Sequence, residues 1–207
     1  MAPEEVEHLF TRSEGGYAFA RWGRPICPVV FGTDDATLSV VKAAISAVCN
    51  VSGHEMGEMD AELGSNFMLF FFQDWAELLA VPGMDRLVPD LAPLVRRLQN
   101  ADANQYRFFR FEASGAIKAC FVFLRMDQHL RDVPAQTLAL SQIVQSMVLW
   151  SDLAFQDRSA LMMANDTTIL RPDIAALLRA AYDPSMPDAA QDPSHALRLA
   201  ARIGVLQ

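Results

Sequence analysis

With 207 residues, 52% of them hydrophobic and 20% charged, the chain has the balance of a globular protein and is too apolar to remain disordered. A formal net charge of −8 and a pI near 4.9, with no basic stripe to offset them, exclude nucleic acid from the expected partners. No apolar run approaches the ~18 uninterrupted residues of a membrane span, so membrane insertion is excluded too.

The opening Met-Ala-Pro-Glu-Glu-Val-Glu-His is acidic where a signal peptide is basic and then apolar. The expected compartment is the cytoplasm, or the periplasm where an export signal has been removed. Residues 1–16 are polar, end in Gly15–Gly16 and read as a loosely attached lead-in. Residues 17–207 read as a single domain.

Tyr17 to Trp22 alternates apolar and smaller residues, as a short strand does, and Ile26 to Phe31 is an apolar run expected to form a buried strand. Thr33, Asp34 and Asp35 supply N-cap oxygens to a helix over 35–49, with Leu38, Val41, Ala44, Ile45 and Val48 on its inner face. Asn50 to Asn66 is polar and punctuated by glycine. Phe67 to Phe72 is apolar almost throughout, the pattern of a central strand covered on both faces.

Pro82–Gly83, Pro89 and Pro93 break the helical stretch from Trp75 to Leu98 into two or three short helices. Tyr106 to Glu112, the turn Ala113-Ser114-Gly115, and Ile117 to Leu124 make a hairpin. Alternation places Ile117, Ala119, Phe121 and Phe123 on one face of its second strand, with Cys120, Val122 and Leu124 on the other. The longest helical pattern runs from Ala135 to Trp150, with Leu140, Ile143, Val144 and Met147 as its buried stripe. A polar loop is expected over 151–168, then a helix from Pro172 to Ala181 and a last helix from Ser194 to Ile203.

Chemistry-bearing patterns are sparse. The histidines His8, His54, His129 and His195 are never spaced at i, i+3 or i+4, so no helical turn presents two imidazoles to one metal. His54-Glu55-Met56-Gly57-Glu58 spells H-E-x-x-E, but Gly53 and Gly57 flank it and favour a surface loop over a helix. A surface cation site would use Glu55, Glu58 and Asp60. Cys27, Cys49 and Cys120 lie in apolar surroundings without a C-x-x-C pair and read as buried free thiols. There is no G-x-S-x-G elbow. The short basic clusters Arg96–Arg97 and Arg107 with Arg110 read as solvated faces.

One segment carries more. Ser141-Gln142-Ile143-Val144-Gln145-Ser146-Met147-Val148-Leu149-Trp150-Ser151-Asp152 follows the hairpin directly. Together with Arg158-Ser159-Ala160-Leu161, Leu170-Arg171-Pro172-Asp173 and Tyr182-Asp183-Pro184, it resembles a bacterial domain family of unknown function with a zincin-like, degenerate metallopeptidase-like fold. The resemblance spans residues 20–203 in element order and 141–184 in motif. It implies an α/β (α+β) fold: a mixed sheet with packed helices and a small C-terminal helical part.

Carried over by position, Ser141 stands at the first zinc-binding His, Gln142 at the general-base Glu, Gln145 at the second His and Val148 at the Gly. Asp152 stands at the family's Asp. On a continuous helix 141, 145, 148 and 152 share a face. Ser and neutral Gln are poor Zn²⁺ ligands, and Gln142 cannot deprotonate water as a carboxylate does. The expectation is a non-catalytic binding or interaction domain without a cofactor. A peptide or protein partner would lie against the sheet edge and the Ser141, Gln142, Gln145 and Asp152 surface. The bland alternative makes these residues the wet face of an amphipathic helix. The enzyme alternative is a metal-dependent hydrolase around His54, Glu55 and Glu58. The abundance of Phe and Met also suits an oligomer.

Overall fold

The computed structural model describes residues 1–205 and has a mixed α/β architecture. The chain opens with helix α1 (Pro3–His8), which starts on a proline and buries Val6; Phe10 follows, fully buried. The lead-in is therefore docked onto the core and not loosely attached as its polarity suggested. Its few apolar residues are spaced to face inward together. Strand β1 (Phe19–Ala20) comes next, and then β2 (Pro28–Phe31), which lies at an edge of the main sheet.

The sequence reading placed β2 in the interior. Its residues are instead half-buried or exposed, and Pro28, which has no N–H to donate, sits at its first position. Helix α2 (Asp35–Ser52) starts where Asp34 Oδ1 accepts from the Thr37 amide at 2.8 Å. It runs past the expected end at residue 49 and stops at Gly53, which takes the left-handed conformation of a C-terminal cap (φ 73°).

Strand β3 (Phe67–Phe72) leads into three short helices, α3 (Glu77–Ala80), α4 (Met84–Leu87) and α5 (Leu91–Asn100). The hairpin follows as β4 (Gln105–Phe111) and β5 (Ile117–Arg125). After a turn of helix, α6 (Gln128–Arg131), comes α7 (Ala135–Met147). The expected loop over 151–168 contains a second hairpin, β6 (Leu161–Ala164) and β7 (Thr167–Leu170). Asn165 and Asp166, both at positive φ, form its two-residue turn, and half its strand residues are exposed, which hid it in a polar stretch. Helix α8 (Pro172–Ala181), strand β8 (Ala189–Ala190) and helix α9 (Ser194–Val205) complete the chain. No helix among the described residues is long and apolar enough to cross a membrane.

The main sheet has the order β2-β3-β5-β4; β2, β3 and β5 are parallel and β4 is antiparallel at the far edge. β3 and β5 are covered on both faces. Phe67, Leu69, Cys120, Val122 and Leu124 pack under α2 and α7, with α8 behind α2 and α1 against α9. Phe70, Phe72, Ala119, Phe121 and Phe123 face Trp75, Met84 and the apolar side of α5. The alternation expected for β5 holds except at Ile117, which joins the α2–α7 side. The pairing register shifts between Arg110 and Phe111, so Lys118 is left over and the face reverses.

Candidate functional site

Helix α7 meets the edge strand β4 in a seam of polar side chains. Strand alternation turns Gln105, Arg107 and Phe109 toward α7 and Tyr106, Phe108 and Arg110 toward α5. Arg107 Nη2 donates to Gln142 Oε1 at 2.8 Å, Nε to Ser146 Oγ at 2.9 Å, and Nη1 to Gln145 Oε1 at 3.3 Å. Gln142 Nε2 continues the seam to Gln105 Oε1 at 2.7 Å, and Gln145 Nε2 donates to Ser141 Oγ at 2.9 Å. Gln142 is only 1% exposed. Gln142 and Ser146 are therefore not part of a wet helix face; they are solvated by a guanidinium from the sheet, while Ser141 and Gln145 beside them stay half-buried.

Arg107 has no carboxylate within salt-bridge distance among the described residues, whereas Arg21, Arg24, Arg125, Arg158, Arg171 and Arg202 each have one. Burial pulls its pKa down from the free guanidinium value. The expectation that Arg107 and Arg110 belong to solvated faces is corrected here. Three residues apart on a strand, they point to opposite sides. Arg110 donates to the Leu87 carbonyl at 2.7 Å and lies over the Phe121 ring. Strand alternation puts Arg107 on the same face as Gln105 and Phe109, but that this face meets α7 is decided by the tertiary structure.

Two clefts open along this seam. One, of about 330 Å³, is bounded by Arg107, Gln145, Phe109, Leu149, Trp150 and Phe155, with Arg12 and Asp152 at its rim. The other, of about 300 Å³, is bounded by Gln105, Tyr106, Arg107, Gln142 and Gln145.

The helix ends sooner than its pattern suggested. Met147 is its last residue, and Val148 is extended (φ −137°, ψ 165°) and bridged to Arg21. Three side chains take up carbonyls left open at that end: Trp150 Nε1 donates to Val144 O at 2.9 Å, Trp22 Nε1 to Ser146 O at 2.8 Å, and Tyr182 Oη to Met147 O at 2.5 Å. Asp152 consequently does not share a helical face with Ser141 and Gln145. It accepts from the Ser13 amide at 3.0 Å and from the Ser13 hydroxyl, which holds its carboxyl below the usual range and secures the lead-in. Ser141, Gln142 and Gln145 come together; Asp152 reaches the cleft only from the connecting loop.

His54, Glu55 and Glu58 do not converge. Half-buried His54 donates Nε2–H to the Arg24 carbonyl at 3.0 Å, and its ring lies 4.7 Å from that of Tyr182. Burial lowers its pKa to about 4. Glu55 and Glu58 are exposed. Asp60 pairs with Arg24 at 3.1 Å and accepts from the amides of Glu62 and Leu63. Among the described residues, no three His, Cys, Asp or Glu side chains gather as metal ligands. Cys27, Cys49 and Cys120 are free and buried. No protein-family model matches the chain, and no curated protein or solved structure matches it either.

Proposed function

We propose that this chain is a non-catalytic binding domain on a degenerate metallopeptidase-like scaffold, and that it receives an extended peptide segment in the cleft between β4 and α7. The observation that carries the reading is the placement of Gln142, Gln145 and Arg107. Polar groups that an ordinary helix would give to water are turned into a cleft beside the open edge of a sheet. An edge strand leaves a row of backbone N–H and C=O groups to which a second strand can add, and the alternating side chains of β4 give that addition its register. Helix α7, which carries the motif that resembles that family, lies beside this same edge. Ser141 and Gln145 bring hydrogen-bonding groups, Gln142 with its amide engaged by Arg107 and Gln105 holds the guanidinium in place, and none of them is a base to activate water.

Selection of random displayed peptides on the purified chain, followed by hydrogen-exchange mapping of the selected sequences, tests the reading. Protection across Gln105–Phe111 and Ser141–Gln145 is the expected result. Selected peptides that protect another surface, or hydrolysis of those peptides, overturn it.

A further inference from the structure

We infer that Arg107 is the anchor for a carboxylate carried on an apolar or aromatic body, so that the ligand of the β4–α7 cleft is an organic acid or the C-terminal end of a chain. This rests on the binding-domain reading and names the chemistry that the cleft would select.

The argument starts from charge. A guanidinium taken partly out of water is costly unless an anion compensates it. Arg107 is half-buried, and every group that contacts it is neutral: Gln142 Oε1 and O, Gln145 Oε1 and Ser146 Oγ. These contacts fix the plane of the guanidinium without cancelling its charge. They also leave donor capacity, because Nη1 carries two N–H groups and uses one. A fixed guanidinium with a spare N–H beside a cleft suits the planar fork of a carboxylate better than a spherical anion.

The other charges on the cleft do not cancel that of Arg107. Arg12 also lines the cleft; it makes no salt bridge but lies close enough to Asp152 to help lower its carboxyl, which Ser13 hydrogen-bonds. Arg12 and Asp152 offset one another, so Arg107 leaves the cleft with a positive balance on a chain whose net charge is −8. The remaining wall is Phe109, Leu149, Ser151, Ala154 and Phe155 with the edge of a largely buried Trp150, whose ring meets that of Phe155 edge-on at 4.8 Å between centroids. This surface matches an apolar body attached to the carboxylate, and a bare inorganic anion would leave it uncovered.

Titration calorimetry with phenylacetate, its amide phenylacetamide, sodium sulfate, and a tripeptide ending in Phe with free or amidated C-terminus tests the inference on the full chain. Phenylacetate or the free-acid peptide is expected to bind, the two amides to be silent, and Arg107→Gln to weaken binding about tenfold or more. Binding of the peptide alone assigns the carboxylate to a chain terminus, and binding of phenylacetate assigns it to a small acid; both support the inference. Arg107→Lys, which keeps the charge and loses the fork, is a second variant should Arg107→Gln not fold, and it too is expected to bind less tightly. Sulfate binding as tightly as the carboxylates, carboxylates binding both variants as they bind the parent, or no carboxylate binding at all overturns the inference. If no carboxylate binds while selected peptides still protect β4 and α7, the anchor falls and the cleft reading stands. A carboxylate whose hydrogen-exchange protection is confined to another surface removes the anchor, and the cleft reading falls with it only if the selected peptides protect that other surface too.

Discussion

The hydroxyl of Tyr17 lies 2.7 Å from Nδ1 of His195, so the segment after the lead-in and the last helix are joined by a buried hydrogen bond. Burial holds the Tyr17 hydroxyl well above its ordinary value and pushes the His195 imidazole down to about 4. His54 is lowered to about 4 as well, also by burial. Both imidazoles are neutral in the fold and become protonated more readily once it opens. Between pH 6.5 and 4 the unfolded chain therefore binds more protons, and stability present above pH 6.5 is lost as the pH falls. A fully held shift of this size at His195 is worth on the order of 3 kcal/mol. Thermal melts should fall steadily from pH 7 to pH 4.5, and His195→Gln should flatten that slope. The paired carboxylates titrate lower: Asp183, held by Ser185 and Arg202 down to about 2, gives way in a separate acid step below pH 4.

Gln142 and Arg107 should be energetically coupled. Gln142→Leu removes the acceptor 2.8 Å from Arg107 Nη2 and strands a partly buried cation, an expected cost of about 1–3 kcal/mol in urea unfolding. In an Arg107→Met background the same substitution should cost about 1 kcal/mol less or better, because no charge is then left unpaired. Equal costs in both backgrounds would mean that the seam is not a unit.

Gly32 closes β2 at φ 77°, and a Cβ there would sit 2.0 Å from the Phe71 carbonyl oxygen. Gly32→Ala meets both a backbone penalty and a clash with main chain that cannot swing away, so a loss of at least about 2 kcal/mol is expected. Gly53 also has positive φ but open space around it, and Gly53→Ala should cost only about 1 kcal/mol. Chemical unfolding of the pair separates strain from collision.

The three thiols should be silent in the folded chain. Burial pushes Cys49 up to about 11 and Cys120 up to about 12, and Cys27 is also raised, so little thiolate exists at pH 8. Iodoacetamide at that pH should leave the native mass unchanged and add three carbamidomethyl groups after denaturation, as read by intact mass.

Asp152→Asn should loosen the lead-in without disturbing the sheet. Its carboxylate holds the Ser13 amide and hydroxyl, and the neighbouring Ser151 hydroxyl donates to Thr11 O at 2.5 Å. Faster hydrogen exchange is expected over residues 9–16, with β4 and β5 unchanged. Slower binding in the cleft with an unchanged lead-in would place Asp152 in recognition instead.

Features written within a few residues of one another were legible in the sequence. Asp34 before an amphipathic run starts α2, Pro172 starts α8, the Ala113-Ser114-Gly115 turn joins β4 to β5, and the apolar block Phe67–Phe72 becomes a strand covered on both faces. Each rests on a local rule of capping, turn chemistry or side-chain period, which needs no knowledge of the rest of the chain. The tertiary structure decided everything that depends on a distant neighbour. Helix α7 stops at Met147 because residues 19–22 capture the backbone at Val148 and Leu149, while Trp22 and Tyr182 take the open carbonyls. Gln142 is buried because β4 brings Arg107 across it, and Arg107 ceases to be a surface charge for the same reason. A polar side chain carries no mark of whether water or another chain segment will solvate it; only the fold supplies the partner.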